Sequence, residues 1–452
     1  MIARLFWIFG VVMLSASTAL AQFDSGSDGS DGALDCDALI AAYGCPVGCD
    51  PCEVEIDLAL AAKDTCGAGG DEQCYWDSPS PVAGQGVYDR DQWDVVFKYT
   101  TIDIPAGVTI TFGNHPSHAP VIWLASGDVT VSGTVNLDGE DGVSTDPGGP
   151  LTLAQPGPGG FAGGQAGSDP VGPRRSGGFG PGGAGRGTEC GCGGGYASYG
   201  GGPFSCGSCL GGPAYGSEYV LPFIGGSGGS GASVGYVGEG GAGGGAILIA
   251  ASGDITLAEN GMVAACGGDG GAGGGGGGSG GAIRLIANGV SGQGQLRATH
   301  GIGAGPPPLN WRGGHGAHGR MRVEAFENTL EDLGSPAFTV GTPAPVFPDL
   351  PPALRITQIE AVSAPADPNG GIWTTDVAID SWDPVTISIE ATNIPEGTTV
   401  EVRVIPERSD IISVTSTALT DGDPPDGILT AEASVTFPVG HSEVQLRANW
   451  TP

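Results

Sequence analysis

The amino-acid sequence predicts an all-β protein: a glycine-rich β-solenoid carrying an insertion, followed by a β-sandwich of the immunoglobulin or fibronectin kind. Three observations carry this. Short aliphatic runs recur between glycine turns, at 121–129 (VIWLASGDV), 246–255 (AILIAASGDI) and 282–290 (AIRLIANGV). A proline-rich stretch, 342–352 (TPAPVFPDLPP), divides the chain as a semi-rigid spacer. Beyond it glycine thins out and apolar residues alternate with polar ones.

The N-terminus reads as a signal peptide over 1–21. Arg4 supplies the positive end, Leu5 to Leu14 is mostly apolar, and Ala19-Leu20-Ala21 is a small-x-small cleavage site before Gln22. No later run reaches the length of a membrane span. The mature chain is therefore expected to be secreted or held at the cell surface. Its cysteines suit an oxidising compartment. Cys36, Cys45, Cys49, Cys52, Cys66 and Cys74 cluster near the N-terminus, Cys190, Cys192, Cys206 and Cys209 lie among glycines, and Cys266 stands alone. Disulfides are expected among the ten clustered residues, with the pairing left open. A zinc site on Cys190, Cys192, Cys206 and Cys209 is the weaker alternative in an exported chain.

Residues 22–85 form an acidic linker followed by the cysteine-rich segment. The linker proper, 22–35 (QFDSGSDGSDGALD), reads as solvated and flexible. Asp24, Asp28 and Asp31 resemble a calcium loop that lacks its bidentate glutamate. Glu53–Ala62 reads as a short helix or, from the alternation of Val54, Ile56, Leu58 and Leu60, as a strand.

The solenoid spans 86–341. Its opening rung is Thr101–Phe112, two strands around Pro105-Ala106-Gly107. In the next units Gly127-Asp128 and Gly253-Asp254 lead into Val129-Thr130-Val131 and Ile255-Thr256-Leu257, and a Gly/Asp cluster closes each unit, 138–142 and 267–270. Arg320–Phe326 is a degenerate further unit. Between the first two units lies a glycine-rich insertion, roughly 143–245. Its aromatics and four cysteines predict a compact, disulfide-pinned excursion, in which glycine chains can stack like polyproline II. In 353–452 the strand candidates are Leu354–Val362, Val385–Glu390, Val400–Ile405, Ile411–Ser416, Ile428–Phe437 and Glu443–Trp450, with Trp373, Trp382 or Trp450 as core fillers.

The central region resembles a class of exported, glycine-rich bacterial proteins with GGAI-type repeats, of planctomycete-like and myxobacteria-like secretomes. The residues that carry the resemblance are SDGSDGAL (27–34), VVFKYTTIDIPAGVTITF (95–112), NHPSHAPVIWLASGDVTVSGTVNLDGEDG (114–142), GGGAILIAASGDITL (243–257) and GGGGSGGAIRLIANG (275–289). The resemblance implies a right-handed parallel β-helix and an extracellular location, and it implies no activity.

Chemistry is sparse. With 49 acidic against 16 basic residues the formal charge is −33, which excludes a basic surface for nucleic acid or anionic membrane and ill suits a lyase for acidic sugars. Asp138, Glu140, Asp141 and Asp269 are the candidate carboxylates for a glycosidase pair or for calcium, although Asp after Gly is also ordinary turn chemistry. His115/His118 and His315/His318 form H-x-x-H pairs, with His300 close in sequence to the second. A third ligand would make either a metal site; solvent-facing loop histidines are the plainer reading. The expectation is a secreted or cell-surface structural or adhesive protein without catalytic activity or cofactor, calcium being the one candidate ion. Its partners would be extracellular polysaccharide or other surface proteins. The alternative is a carbohydrate-active β-helix protein that binds or cleaves polysaccharide.

Overall fold

A computed structural model describes residues 22–63, 79–145, 152–167, 176–232, 237–305, 311–347, 352–366, 368–369, 374–407, 409–421 and 427–450. The signal-peptide reading, Cys66, Cys74 and Trp373 lie outside the described residues. The protein is mostly β, and no helix among the described residues is long and apolar enough to cross a membrane.

The recurring aliphatic runs stack as parallel strands in two sheets. Asp94–Ile104 pairs with Val121–Ala125 and Val129–Val131; these pair with Ala246–Ala251 and Ile255–Leu257; both of these pair with Ala282–Gly292, which pairs with Arg320–Leu330. The second sheet runs Cys52–Asp57, Val108–Gly113, Thr134–Asn136, Met262–Ala264 and Gln295–Arg297. Cys52–Asp57 is thus a strand through Val54 and Ile56 with a 3-10 turn behind it, not the helix that was one of its two readings. It adds a strand before the expected opening rung.

Identical registers bring like residues into columns. Val95, Val121, Ile247, Ile283 and Met321 form one column, and Phe97, Trp123, Ile249, Leu285 and Val323 the next. All ten are buried in one core, each aliphatic contributing about 1.5–3 kcal/mol of burial. Phe97, Tyr99, Phe112 and Trp123 are neighbours with ring centroids about 6 Å apart and fill the core near the N-terminal rungs.

The opposite face of the first sheet is buried too. Val96, Ile122, Leu248, Ala250 and Ile286 are covered by Phe23, Val346 and Phe347. Residues 22–35 are therefore not a solvated linker. Phe23 and Ser25 are buried, and Asp31 accepts hydrogen bonds from Ser80 Oγ (2.7 Å) and from the N–H groups of Lys98 (2.6 Å) and Gly84 (2.9 Å). The apolar sheet face needs a cover, and a carboxylate that gathers this many donors can be buried. Glu324 is likewise buried, between Arg284 (3.0 Å) and Arg322 (2.6 Å). An α-helix, Cys36–Tyr43, follows; the Asp35 side chain caps it by accepting from Ala38 N–H, and Gly44 at φ 71° ends it.

The glycine-rich stretches follow the second-sheet strands Thr134–Asn136, Met262–Ala264 and Gln295–Arg297 and pair with one another. Their hydrogen bonds recur every third residue. In 225–232, the N–H groups of Gly226, Gly229 and Ala232 bond to Gly244, Gly241 and Gly238, while Gly225, Gly228 and Gly231 bond to Gly159, Phe179 and Ser176. Ser227 and Ser230 bond to Ser279 Oγ and Cys192 O. Three faces with three sets of neighbours is the signature of a three-residue, polyproline-II-like helix inside a bundle. Side chains would separate such chains: a Cβ on Gly278 would lie 1.9 Å from the Ala242 carbonyl oxygen, and one on Gly241 1.9 Å from that of Gly268. The Gly/Asp clusters 137–143 and 265–281 belong to the same bundle, so the insertion extends a layer that it shares with them. Disulfides Cys190–Cys206 and Cys192–Cys209 tie its outer part, and Cys36–Cys49 and Cys45–Cys52 tie the N-terminal segment. These pairs exclude a zinc site on the same cysteines.

Residues 353–450 fold as two antiparallel sheets around one core. One contains Ala353–Ile359, Val385–Thr392 and Leu429–Val435; the other contains Thr399–Pro406, Ile412–Ala418 and Ser442–Ala448. Ile387, Ile389, Val400, Val402, Val404 and Ala431 fill the space between them. Tryptophan does not: Trp382 is 79% exposed, and Trp450 is also at the surface. The aliphatic residues of six strands already complete this core. The unit docks on the glycine bundle, where Ile405 and Ile411 meet Phe161 and Phe179, and Arg403 donates to the Gly180 and Pro181 carbonyls.

Candidate functional site

The rung corners place Asp138, Asp141 and Asp269 on one flank, and one oxygen of each is engaged. Asp138 Oδ1 accepts the N–H of Cys266 (2.5 Å), Asp141 Oδ1 that of Asp269 (2.7 Å), and Asp269 Oδ1 that of Ile302 (2.6 Å). Asp128 Oδ1 does the same for Asp254 (2.9 Å), and Glu140 Oε2 for Gln155 (2.9 Å). The four aspartates thus accept from backbone donors of the following rung, and Glu140 from the insertion. Desolvation raises the Asp138 carboxyl, against the lowering effect of the Cys266 N–H. Among the described residues no group of three or more His, Cys, Asp or Glu side chains is arranged to hold a metal ion.

The two H-x-x-H pairs part company. His115 is not a solvent-facing loop residue: it is buried, stacks on Tyr88 at 4.1 Å, and its Nδ1 lies 2.7 Å from Ser117 Oγ. His315 and His318, half-buried, are joined by His300 from the adjacent segment, with its ring centroid 5.7 Å from His315 and 4.6 Å from His318. The His300 ring stands edge to face with both of the others.

A cleft of about 1430 Å³ opens where the C-terminal unit meets the stacked part of the chain. Tyr88, Trp93 and Phe161 line one side, and Trp382, Phe437 and Glu443 the other. The Trp93 indole N–H donates to Ser117 O (2.9 Å), which fixes that ring on the wall. Asp91, Asp376 and Asp380 add carboxylates, while Arg90 is paired with Asp91 and Arg355 with Glu390. Burial pushes the Glu443 carboxyl up to about 7, against hydrogen bonding from Gln445 and the charge of Arg403. Flat aromatic faces with intervening polar groups suit the C–H faces and hydroxyls of sugar rings.

No protein family, curated protein or solved structure matches the chain. What it can do therefore rests on its own geometry. The cleft combines residues from regions that sequence reasoning treated apart. Glu443 was legible only as part of a strand, because its distinction is burial against another unit. Trp382 carried a signal, a tryptophan in a polar stretch (DSWDP, 380–384), which points to the surface more readily than to a core.

Proposed function

We propose that this is a secreted or cell-surface structural and adhesive protein that holds a chain of extracellular polysaccharide in the cleft between its two parts. In this reading the stacked strands are a right-handed β-solenoid of the exported glycine-rich class, and the C-terminal unit is an immunoglobulin-like sandwich. The cleft carries the reading: it is open enough for a polymer, and it presents aromatic rings from both sides, including Trp382 with 79% of its surface free. The disulfides fit an exported protein. The rung-corner carboxylates support a role without catalysis, since each has a backbone donor to satisfy.

The test is co-sedimentation of the mature chain with neutral and acidic polysaccharides, scoring new chain ends in the same tubes. Binding without cleavage is expected, with Trp382→Ala weakening it about tenfold at unchanged melting temperature. Absence of binding to every polymer, or binding indifferent to Trp382→Ala, would overturn the adhesive reading. Cleavage is the second reading, favoured by one feature: burial pushes the Glu443 carboxyl up to about 7, into the range that suits a general acid. Release of chain ends that Glu443→Gln abolishes would establish it.

A further inference from the structure

The second H-x-x-H pair lies away from the cleft, on the outer chains of the glycine bundle. In a helix of three residues per turn, positions three apart share a face, about 9 Å from each other along the axis. His315 and His318 occupy such positions. The chain 298–305 runs antiparallel beside them, with Gly313 N–H bonded to Ala304 O (3.0 Å), Gly316 N–H to Gly301 O (3.0 Å) and Gly319 N–H to Ala298 O (2.7 Å). This register brings the His300 ring between the other two, edge to face with both. We propose that the three histidines form an acid-sensitive latch, which fastens 298–305 to 312–319 while the rings are neutral and releases it when they are protonated.

Neutral imidazoles in edge-to-face contact attract as other aromatic rings do. Two imidazolium ions under 6 Å apart repel, more strongly where water is partly excluded. The surroundings offer little to offset a charge. Phe204 packs against the His315 ring at 5.7 Å, and the buried Nδ1 of His318 has no hydrogen-bond partner among the described residues. Arg312 adds repulsion at His315, while Asp269 favours protonation of His300 and His315. Asp269 is itself engaged by the Ile302 N–H, on the chain that would be released. Burial first, and the neighbouring histidine or arginine second, hold all three below the ordinary histidine value. In the released chain each ring returns to about 6.5. Opening therefore takes up protons: the latch has its full strength above that pH and loses it as the pH falls below.

The experiment is amide hydrogen exchange of the mature chain at pH 7.5 and 5.5, corrected for the intrinsic pH dependence. Exchange within 298–305 and 312–319 should rise about tenfold, with 225–232 in the bundle interior unchanged. His300→Gln should abolish most of that rise, and His318→Gln should halve it on a logarithmic scale; the second variant serves if the first fails to fold. An unchanged rate in the native chain would overturn the latch. So would an equal rise in the histidine variants.

Discussion

Asp128 and Asp254 are 126 residues apart in sequence, yet the Asp128 carboxylate accepts the Asp254 backbone N–H at 2.9 Å. The two occupy equivalent places in successive rungs, so one rung's corner side chain caps the next rung's corner backbone. Hydrogen bonds to a charged acceptor at a solvent-exposed corner are worth about 1 kcal/mol. Asp128→Ala and Asp138→Ala should each lower stability by about that amount in a denaturant titration. Neither should alter polysaccharide binding, whereas an active-site carboxylate would show the reverse.

The bundle depends on positions without side chains. Gly278→Ala places a methyl group 1.9 Å from the Ala242 carbonyl oxygen, in an environment of backbone that cannot rotate away. The chains must separate, breaking bonds such as Gly278 N–H to Gly268 O (2.9 Å). A loss of about 3 kcal/mol or more is expected. Gly202→Ala, with nothing within 4 Å of the added carbon, should melt like the native protein.

Removing the charge of Glu324 leaves Arg284 and Arg322 buried beside each other with no carboxylate between them. Breaking a buried pair on one side costs about 3–5 kcal/mol. Glu324→Gln should fall in that range by thermal or denaturant melting. Replacing Glu324 by leucine together with Arg284→Leu and Arg322→Met should recover much of the loss, because no charge then remains to be desolvated.

Glu443 makes the stability of the C-terminal unit depend on pH. Its folded pKa, about 7, lies above the unfolded value near 4.5, so the folded state binds the extra proton between them. The contribution is fully present below about 4.5 and is lost as the pH rises through 7. Melting of residues 353–450 in the intact chain, followed by a local probe, should occur at higher temperature at pH 5 than at pH 8. Glu443→Gln should flatten that difference. This slope is opposite in sign to that of the histidine latch, so the two are separable in one pH series.

The β elements were legible because each is a local pattern. Val385, Ile387 and Ile389 alternate with Thr386, Ser388 and Glu390, and all three apolar residues point into the core. The units at 121, 246 and 282 announce the stack because parallel rungs in register place like residues over like. The helix Cys36–Tyr43 is bracketed by Asp35 and Gly44, but its eight residues are too few for an apolar period to stand out beside the cysteines. The linker reading of 22–35 failed for a different reason. Its composition is that of a solvated segment, and only the apolar outer face of the first sheet, assembled from Val96, Ile122 and Leu248, gives Phe23 and Asp31 a place to be buried.

The sequence by itself therefore determined the β class, the parallel pairing of the aliphatic runs and the strand positions after the proline-rich stretch, because hydrophobic periodicity is a local property. Tertiary structure alone decided which oxygens of the corner aspartates are spent, which histidines meet and how the cysteines pair. It also decided that Trp382 and Glu443 face Tyr88 and Trp93 across a cleft. Those are contacts between distant segments, and a carboxylate's or an imidazole's chemistry is set by the neighbours that folding brings to it.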